Sequence, residues 1–280
     1  MEPAEYESML RELAIPPRPE VVMVLFEEMR KEAPDLNRIV KAIVADPGLS
    51  AGMLRAANSP FFGLSRKVSS VPQAVKVLGL KHVANIAHGL ALRNAVKSAG
   101  QAAFFDQFWS DAEQTGMLCH FLARSLRGVP PDEAYTYGLF HNCGVPLLVQ
   151  RFPGYRDAVA RASLGAQTPI AMLEEEKTGT SHAILGYFLA RSWMLPDPLC
   201  QAILIHHDPV AFAEDATADV VRNLIGIGHL AKHVQHRWLG ERDDPVWSGI
   251  ADAVSAHFGL TEEDIANLID RSQVAFDSER

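Results

Sequence analysis

The residues best suited to chemistry in this chain are histidines. His141 stands beside Asn142 in the segment Gly138-Leu139-Phe140-His141-Asn142-Cys143-Gly144. A histidine next to a carboxylate at such a place binds a divalent metal through nitrogen and oxygen. Asparagine offers only a neutral amide oxygen, a weaker ligand. The competing reading is a buried histidine with a hydrogen-bonded asparagine closing a helix. Small residues on both sides let other backbone or side chains approach. His182 follows Gly179-Thr180-Ser181, and His206-His207 is followed by Asp208-Pro209. A divalent site needs several such imidazoles gathered from distant segments. His206 and His207 also fit a plainer role, as a positive end set against a helix C-terminus.

His229, His233 and His236 are spaced i, i+4, i+7 on one helical face. Two such histidines chelate a metal, but no glutamate follows His229, so the H-E-x-x-H protease pattern is absent. This trio reads as a separate solvated or partly buried polar face. Nucleophile and phosphate-loop signatures are missing: there is no G-x-S-x-G, P-loop or G-x-G-x-x-G. Cys143 lies next to His141-Asn142 in sequence, but triad members come from separate elements, so it reads as a structural thiol. Asn58-Ser59-Pro60-Phe61-Phe62-Gly63 reads as a cap with two core anchors, or, with Arg66 and Lys67 directly after it, as a recognition surface.

The elements that must position these residues are helices, and the expected fold class is all-α. Leu36, Ile39, Val40, Ile43 and Val44 fall on one helical face, and Val83, Ile86, Ala87, Leu90 and Ala91 repeat the pattern. Ile184, Leu185, Phe188 and Leu189 form a shorter stripe, as do Leu224, Ile225, Gly228 and Ala231. Val21, Val24, Leu25 and Met29 follow Pro19, which suits a first helical turn. Asp46-Pro47 marks a stop, an N-cap and a new start. Alternation that suits a strand is confined to two or three residues near Val68. The joint Ser98-Ala99-Gly100-Gln101 and the polar turn 240–245 divide the chain into an N-terminal lobe (1–98), a second helical lobe (99–240) and a C-terminal extension (241–280). Thr261 is the expected cap of the last helix.

Composition bounds the partners. The 280 residues are 48% apolar and 21% charged, enough for a real core and too few charges for disorder. The N-terminus is acidic rather than signal-like, and no apolar stretch reaches membrane-spanning length. Cys119, Cys143 and Cys200 are widely spaced, which suits free thiols in a cytoplasmic protein. A net charge of −8 argues against general nucleic-acid binding. The charge is uneven: residues 47–105 hold no Asp or Glu and carry +7, leaving −15 for the rest. Such asymmetry bears on docking and partners rather than on fold.

Taken together, these motifs resemble the HDOD family, a bacterial signalling module related to HD-type phosphohydrolases. The resemblance rests on Ile15-Pro16-Pro17-Arg18-Pro19, Asp46-Pro47-Gly48-Leu49, Ala57-Asn58 through Gly63, Leu78-Gly79-Leu80 and Phe108-Trp109. It continues through Gly138 to Gly144, His182, Trp193-Met194-Leu195-Pro196, and Ala202-Ile203 to His206-His207. It spans about residues 15–210 as one HDOD domain. It implies a multi-helical, two-lobed fold whose C-terminal lobe is HD-like. HD enzymes hold metal with an early histidine, a His-Asp pair and a later aspartate. Here the early position is Asp111 or is missing. The pair is His141-Asn142, and the later aspartate has no clear match, with Asn223 nearby. The site is thus a degenerate one, comprising Asp111, His141, Asn142, His182, His206 and His207.

The resemblance implies a regulatory or scaffolding protein of bacterial signal transduction, working through protein contacts and more in keeping with a non-enzyme. Arg66, Lys67, Lys76 and Lys81 form the candidate basic surface for an acidic signalling partner. One alternative is a metal-dependent phosphohydrolase or phosphodiesterase with an atypical site. Another is a nucleotide or second-messenger binding module whose pocket is lined by His141, His182, His206 and His207. No cofactor is expected to be obligatory; the ion such a site takes would be Fe, Mn or Zn. The matched segment and its flanking helices are expected to use up the length, so that regulatory input comes from another chain or from a ligand.

Overall fold

A computed structural model describes residues 10–59, 62, 64, 66–96, 102–156, 170–212, 217–240 and 245–277. The expected joint 98–101, the turn residues 241–244, and Pro60, Phe61 and Gly63 lie outside the described residues. Among the described residues there is no strand, and no helix is long and apolar enough to cross a membrane.

The first lobe contains α1 (Glu20–Met29), α2 (Leu36–Val44), α3 (Pro47–Ala57), α4 (Val71–Leu78) and α5 (Leu80–Ala95). Local chemistry sets their starts. The Asp35 carboxylate accepts from the N–H of Asn37 and Arg38, and the Asp46 carboxylate from those of Gly48 and Leu49. Pro47 then occupies the first turn, where its missing N–H is harmless. Ser70 caps α4 through the N–H of Gln73. The α2 stripe is only half used: Ile39 and Ile43 are buried, whereas Leu36 and Val44 at its two ends stay exposed. In this nine-residue helix the middle of the stripe is buried and its two ends are not.

The extended piece around Val68 finds no strand partner. Its N–H donates to Asn58 Oδ1 at 2.7 Å, and its carbonyl accepts from Asn58 Nδ2 at 2.8 Å. The same Nδ2 also donates to the Leu54 carbonyl at 2.8 Å. One side-chain amide thus meets both backbone groups that a neighbouring strand would have met.

The rest of the chain runs through α6 (Ala102–Ala123), α7 (Pro131–Phe140), α8 (Val145–Arg151), α9 (Ile170–Thr178), α10 (His182–Ser192) and α11 (Asp197–Ile205). A short 3-10 turn (Pro209–Phe212) precedes α12 (Asp219–Trp238), α13 (Pro245–Phe258) and α14 (Glu262–Asp277). Helices α6 and α7 pack side by side, and α12 lies across both and against α11. Helix α5 joins the first lobe to α7, while α13 and α14 rest on α12. One apolar cluster runs from Ile15 through Phe140 and Trp193 to Leu268, so both lobes share a continuous core. Thr261 and Asp264 exchange hydrogen bonds in a capping box that starts α14.

Candidate functional site

His141 is the residue at which α7 ends, its ring Nδ1 2.7 Å from the Gly138 carbonyl. His182 opens α10, which Ser181 caps through the N–H of Ile184. His206 ends α11, its Nδ1 2.7 Å from the Ile203 carbonyl. Three helix ends therefore aim imidazoles at one place. The rings of His141 and His206 meet edge to face at 5.7 Å, and those of His206 and His207 lie 4.0 Å apart. The ring nitrogens of His182, His206 and His207 all lie within 4.8 Å of one another.

Hydrogen bonds to oxygen fix the tautomers. In His141 and His206 the Nδ1–H donates to a carbonyl, which leaves Nε2 as the lone-pair nitrogen. In His182, Nδ1 lies 2.6 Å from Glu174 Oε2, and the same oxygen accepts the His182 backbone N–H at 2.8 Å. The Tyr155 hydroxyl donates to the other Glu174 oxygen. Burial alone would raise the Glu174 carboxyl, but the His182 and Tyr155 hydrogen bonds reverse that and hold it below its ordinary value. A carboxylate behind a histidine is the arrangement that orients metal-binding imidazoles.

The imidazole nitrogens stand close together. His182 Nε2 lies 3.3 Å from His206 Nε2 and 3.0 Å from His207 Nε2. With Nδ1–H committed on His206, its Nε2 lone pair faces the His182 ring. His207 can relieve one contact by donating N–H. An ion with metal–nitrogen bonds of about 2.05 Å in tetrahedral geometry sets neighbouring nitrogens about 3.4 Å apart, close to these separations. The donor set therefore fits a divalent metal. Burial, followed by the neighbouring imidazoles, drives both His206 and His207 far below the usual histidine range. Burial takes His141 down to about 3. Their rings are neutral near pH 7, so the positive-end reading of His206-His207 gives way to a neutral, ligand-ready pair.

Next to the trio lies a cavity of about 180 Å³ lined by His141, Asn142, His206, His207, His229 and Lys232, among others. His182 stands behind this wall. Asn142 Oδ1 is buried with no hydrogen-bond partner, so the expected helix-closing bond is not made by this oxygen. Gly228 lets Tyr137 form part of the wall, since a Cβ there would come 2.6 Å from its ring. Cys143 is buried with its Sγ 3.7 Å from the Gly186 carbonyl, which suits a structural thiol.

Two expected positions fall elsewhere. Asp111 on α6 accepts from Gln107 Nε2 at 2.8 Å in an exposed contact, outside the histidine group. Its influence on the cavity is electrostatic: burial lowers the Lys232 ammonium, and the Asp111 charge opposes that. Asn223 bonds the Gly128 carbonyl at 3.2 Å and His257 Nε2 at 2.6 Å, one turn and more from the cavity wall of α12. That wall is formed by His229, Lys232 and His236. The histidine trio of α12 is thus not separate. His229 Nε2 lies 3.0 Å from the His206 carbonyl, while His233 turns aside to stack on Trp247 at 4.5 Å. Glu174, Tyr155 and Lys232 are further site residues, and their type alone gives no sign of it. The spacing of His229 and His236 on one face was the only available signal.

An all-helical bundle that gathers histidines from the ends of α7, α10 and α11 defines the HD-related class of folds. The chain matches the HDOD domain over residues 15–209, and it belongs to that family. Among curated proteins it is similar to an uncharacterized protein of Treponema pallidum, 28% identical over 198 residues, covering 68% of this chain and 37% of that protein. It is also similar to the uncharacterized protein YuxH of Bacillus subtilis, 27% identical over 149 residues, covering 51% and 36%. The chain thus spans little more than a third of the length of these curated relatives. Among solved structures, a proposed phosphohydrolase from Shewanella amazonensis is 25% identical with a TM-score of 0.72, over 96% of this chain and 95% of that one. A proposed signal transduction protein from Marinobacter aquaeolei is 25% identical with a TM-score of 0.71, over 96% and 60%. An HDOD domain protein of unknown function from Geobacter sulfurreducens, 20% identical with a TM-score of 0.68, shares the fold over 99% and 96%.

Proposed function

We propose that this chain is a regulatory module of bacterial signal transduction that works through protein contacts and does not hydrolyse a substrate. The observation that carries this reading is the cavity wall. Among the described residues it presents imidazoles, Lys232 and the Asn142 amide, and no carboxylate. In the related hydrolases, carboxylate ligands offset the charge of the metal. Here the ligands themselves would be neutral nitrogens, with the Glu174 carboxylate set behind His182 and a lysine beside the cavity. The HDOD family and the likeness to a proposed signal transduction protein support the signalling role.

A divalent ion would be held by His182, His206 and His207, and would supply Lewis acidity toward an anionic oxygen. Glu174 orients His182, His141 and Asn142 line the approach, and Lys232 attracts a small anion. A volume of about 180 Å³ is below the range of roughly 300–1,000 Å³ of ligand pockets, which disfavours a whole nucleotide. The docking face is the other part of the proposal. Arg66, Lys67, Lys76 and Lys81 are exposed and make no ion pair among the described residues. Lys76 lies on α4, Lys81 in the first turn of α5, and Val77 between them is 51% exposed. An acidic partner matches that face.

The test is metal content by elemental analysis together with activity on generic phosphodiesters and phosphomonoesters. We expect no turnover above that of His141→Ala. Metal-dependent turnover that disappears in His141→Ala would overturn the reading. For the docking face, charge reversal at all four basic positions should abolish partner capture in a pull-down. Unchanged capture would remove the basis for that surface.

A further inference from the structure

Outside the histidine cavity, three helices bring a second set of donors together. His82 lies on α5, His120 on α6 and Asp132 in the first turn of α7, and one ligand atom from each lies within 4.8 Å of the others. The His82 ring holds its Nδ1 3.0 Å from the Leu78 carbonyl, which leaves Nε2 turned to Asp132. His82 Nε2 lies 3.5 Å from Asp132 Oδ1. The carboxylate oxygen is buried and has no hydrogen-bond partner. The His120 ring stands beside it, 5.5 Å from the His82 ring between centroids.

The separation is compatible with a bridging ion. A proton shared by His82 and Asp132 would draw nitrogen and oxygen to about 2.7–3.2 Å. The observed 3.5 Å is outside that range. A tetrahedral first-row ion, with metal–nitrogen and metal–oxygen bonds of about 2.05 and 2.1 Å, sets them about 3.4 Å apart. Two imidazoles and one carboxylate form a donor set for first-row divalent ions that keeps positions open. A cavity of about 440 Å³ adjoins the group, lined by Phe62, His82, His120, Arg124 and Phe276 among others. It leaves room for water or an anionic co-ligand beside Arg124.

We propose that His82, His120 and Asp132 form a second divalent-metal site, which clamps α5 of the first lobe to α6 and α7. Its ligands come from both lobes, so an ion there ties the lobes together. It also fixes the α4–α5 corner that bears Lys76 and Lys81, because His82 is anchored on the last residue of α4. This inference does not depend on the reading of the histidine cavity.

The test uses the full chain, stripped of metal by chelator and titrated with Zn²⁺ alone against a chromophoric competitor. Asp132→Asn and His82→Ala are compared with wild type, each also in a His206→Ala background that disables the first cavity. The expected result is one equivalent fewer, or affinity lower by at least about 100-fold, in each variant relative to its own background. Zn²⁺ should raise the melting temperature of His206→Ala protein but not of His206→Ala/Asp132→Asn protein. Circular dichroism identifies a misfolded variant, and Asp132→Glu, which keeps the charge, should restore part of the binding. If both variants match their backgrounds in stoichiometry and affinity, the site is refuted and the group is an ion pair only.

Discussion

Gly144 is the most demanding position next to the site, and Gly144→Ala tests why. A Cβ there would sit 2.0 Å from the His182 carbonyl oxygen, and 2.8 Å from both the Gly186 nitrogen and the His182 carbonyl carbon. All three atoms are backbone, so no flexible side chain can turn away. Ordinary contact begins near 3.4 Å, so the start of α10 must retreat by about 1.4 Å. Overpacking costs about 1–3 kcal/mol in general, and a backbone obstacle places this variant near the upper end. The retreat also carries His182 away from His206 and His207. Nitrogens now 3.0–3.3 Å apart would no longer close on one ion, so metal affinity should fall by about 100-fold. Urea unfolding followed by helical circular dichroism reads the first effect, and a zinc titration the second. Gly249→Ala is the control. It lies within α13 with nothing inside 4 Å of the added Cβ, so it should stabilise by up to about 1 kcal/mol. A Gly144→Ala protein within about 0.5 kcal/mol of wild type, binding zinc as well, would refute the reasoning.

Three further outcomes are expected. Asn58→Ala leaves both backbone groups of buried Val68 without their side-chain partner and should cost about 3 kcal/mol in urea unfolding; a loss below about 0.5 kcal/mol would contradict the amide's role. Burial pushes the thiols of Cys119 and Cys200 up to about 12 and that of Cys143 higher still. All three cysteines should therefore resist Ellman's reagent at pH 8 in the native state and react in urea. Burial lowers the His88 pKa from 6.5 to about 4. The folded chain then binds fewer protons than the unfolded one, so the His88 contribution is complete above pH 6.5 and is lost as pH falls toward 4. The slope is at most about 1.4 kcal/mol per pH unit, and His88→Gln should flatten the pH–stability curve in that window.

Local chemistry was legible in the sequence, and convergence was not. Asp46-Pro47 and Thr261 announce helix starts because a cap acts within three residues, whatever the rest of the chain does. The α2 stripe named the right face, but burial of Leu36 and Val44 depended on neighbours whose extent no periodicity reveals. Val68 had the composition of a strand, and its partner is a side chain, which alternation cannot indicate. At the site, the helix-end histidines were readable as candidates. Glu174 was hidden because a Glu-Glu-Glu-Lys run reads as a solvated face, and only the fold buries its first member against His182. His229 was assigned to a separate group because helical spacing says which residues share a face, not which cavity that face meets. Asp111 was matched to the site by its order along the chain, yet its carboxylate is spent on Gln107 and it reaches the cavity only through its field.

The Asn58 amide has a consequence for recognition. It closes the loop that carries Arg66 and Lys67, and it does so from the end of α3, with no charge of its own. The positive charge there is carried by arginine and lysine but positioned by a neutral residue eight places upstream of Arg66. Changing Asn58 would leave the net charge of the protein untouched and still move those cations. In a binding assay it should imitate the loss of Arg66 and Lys67.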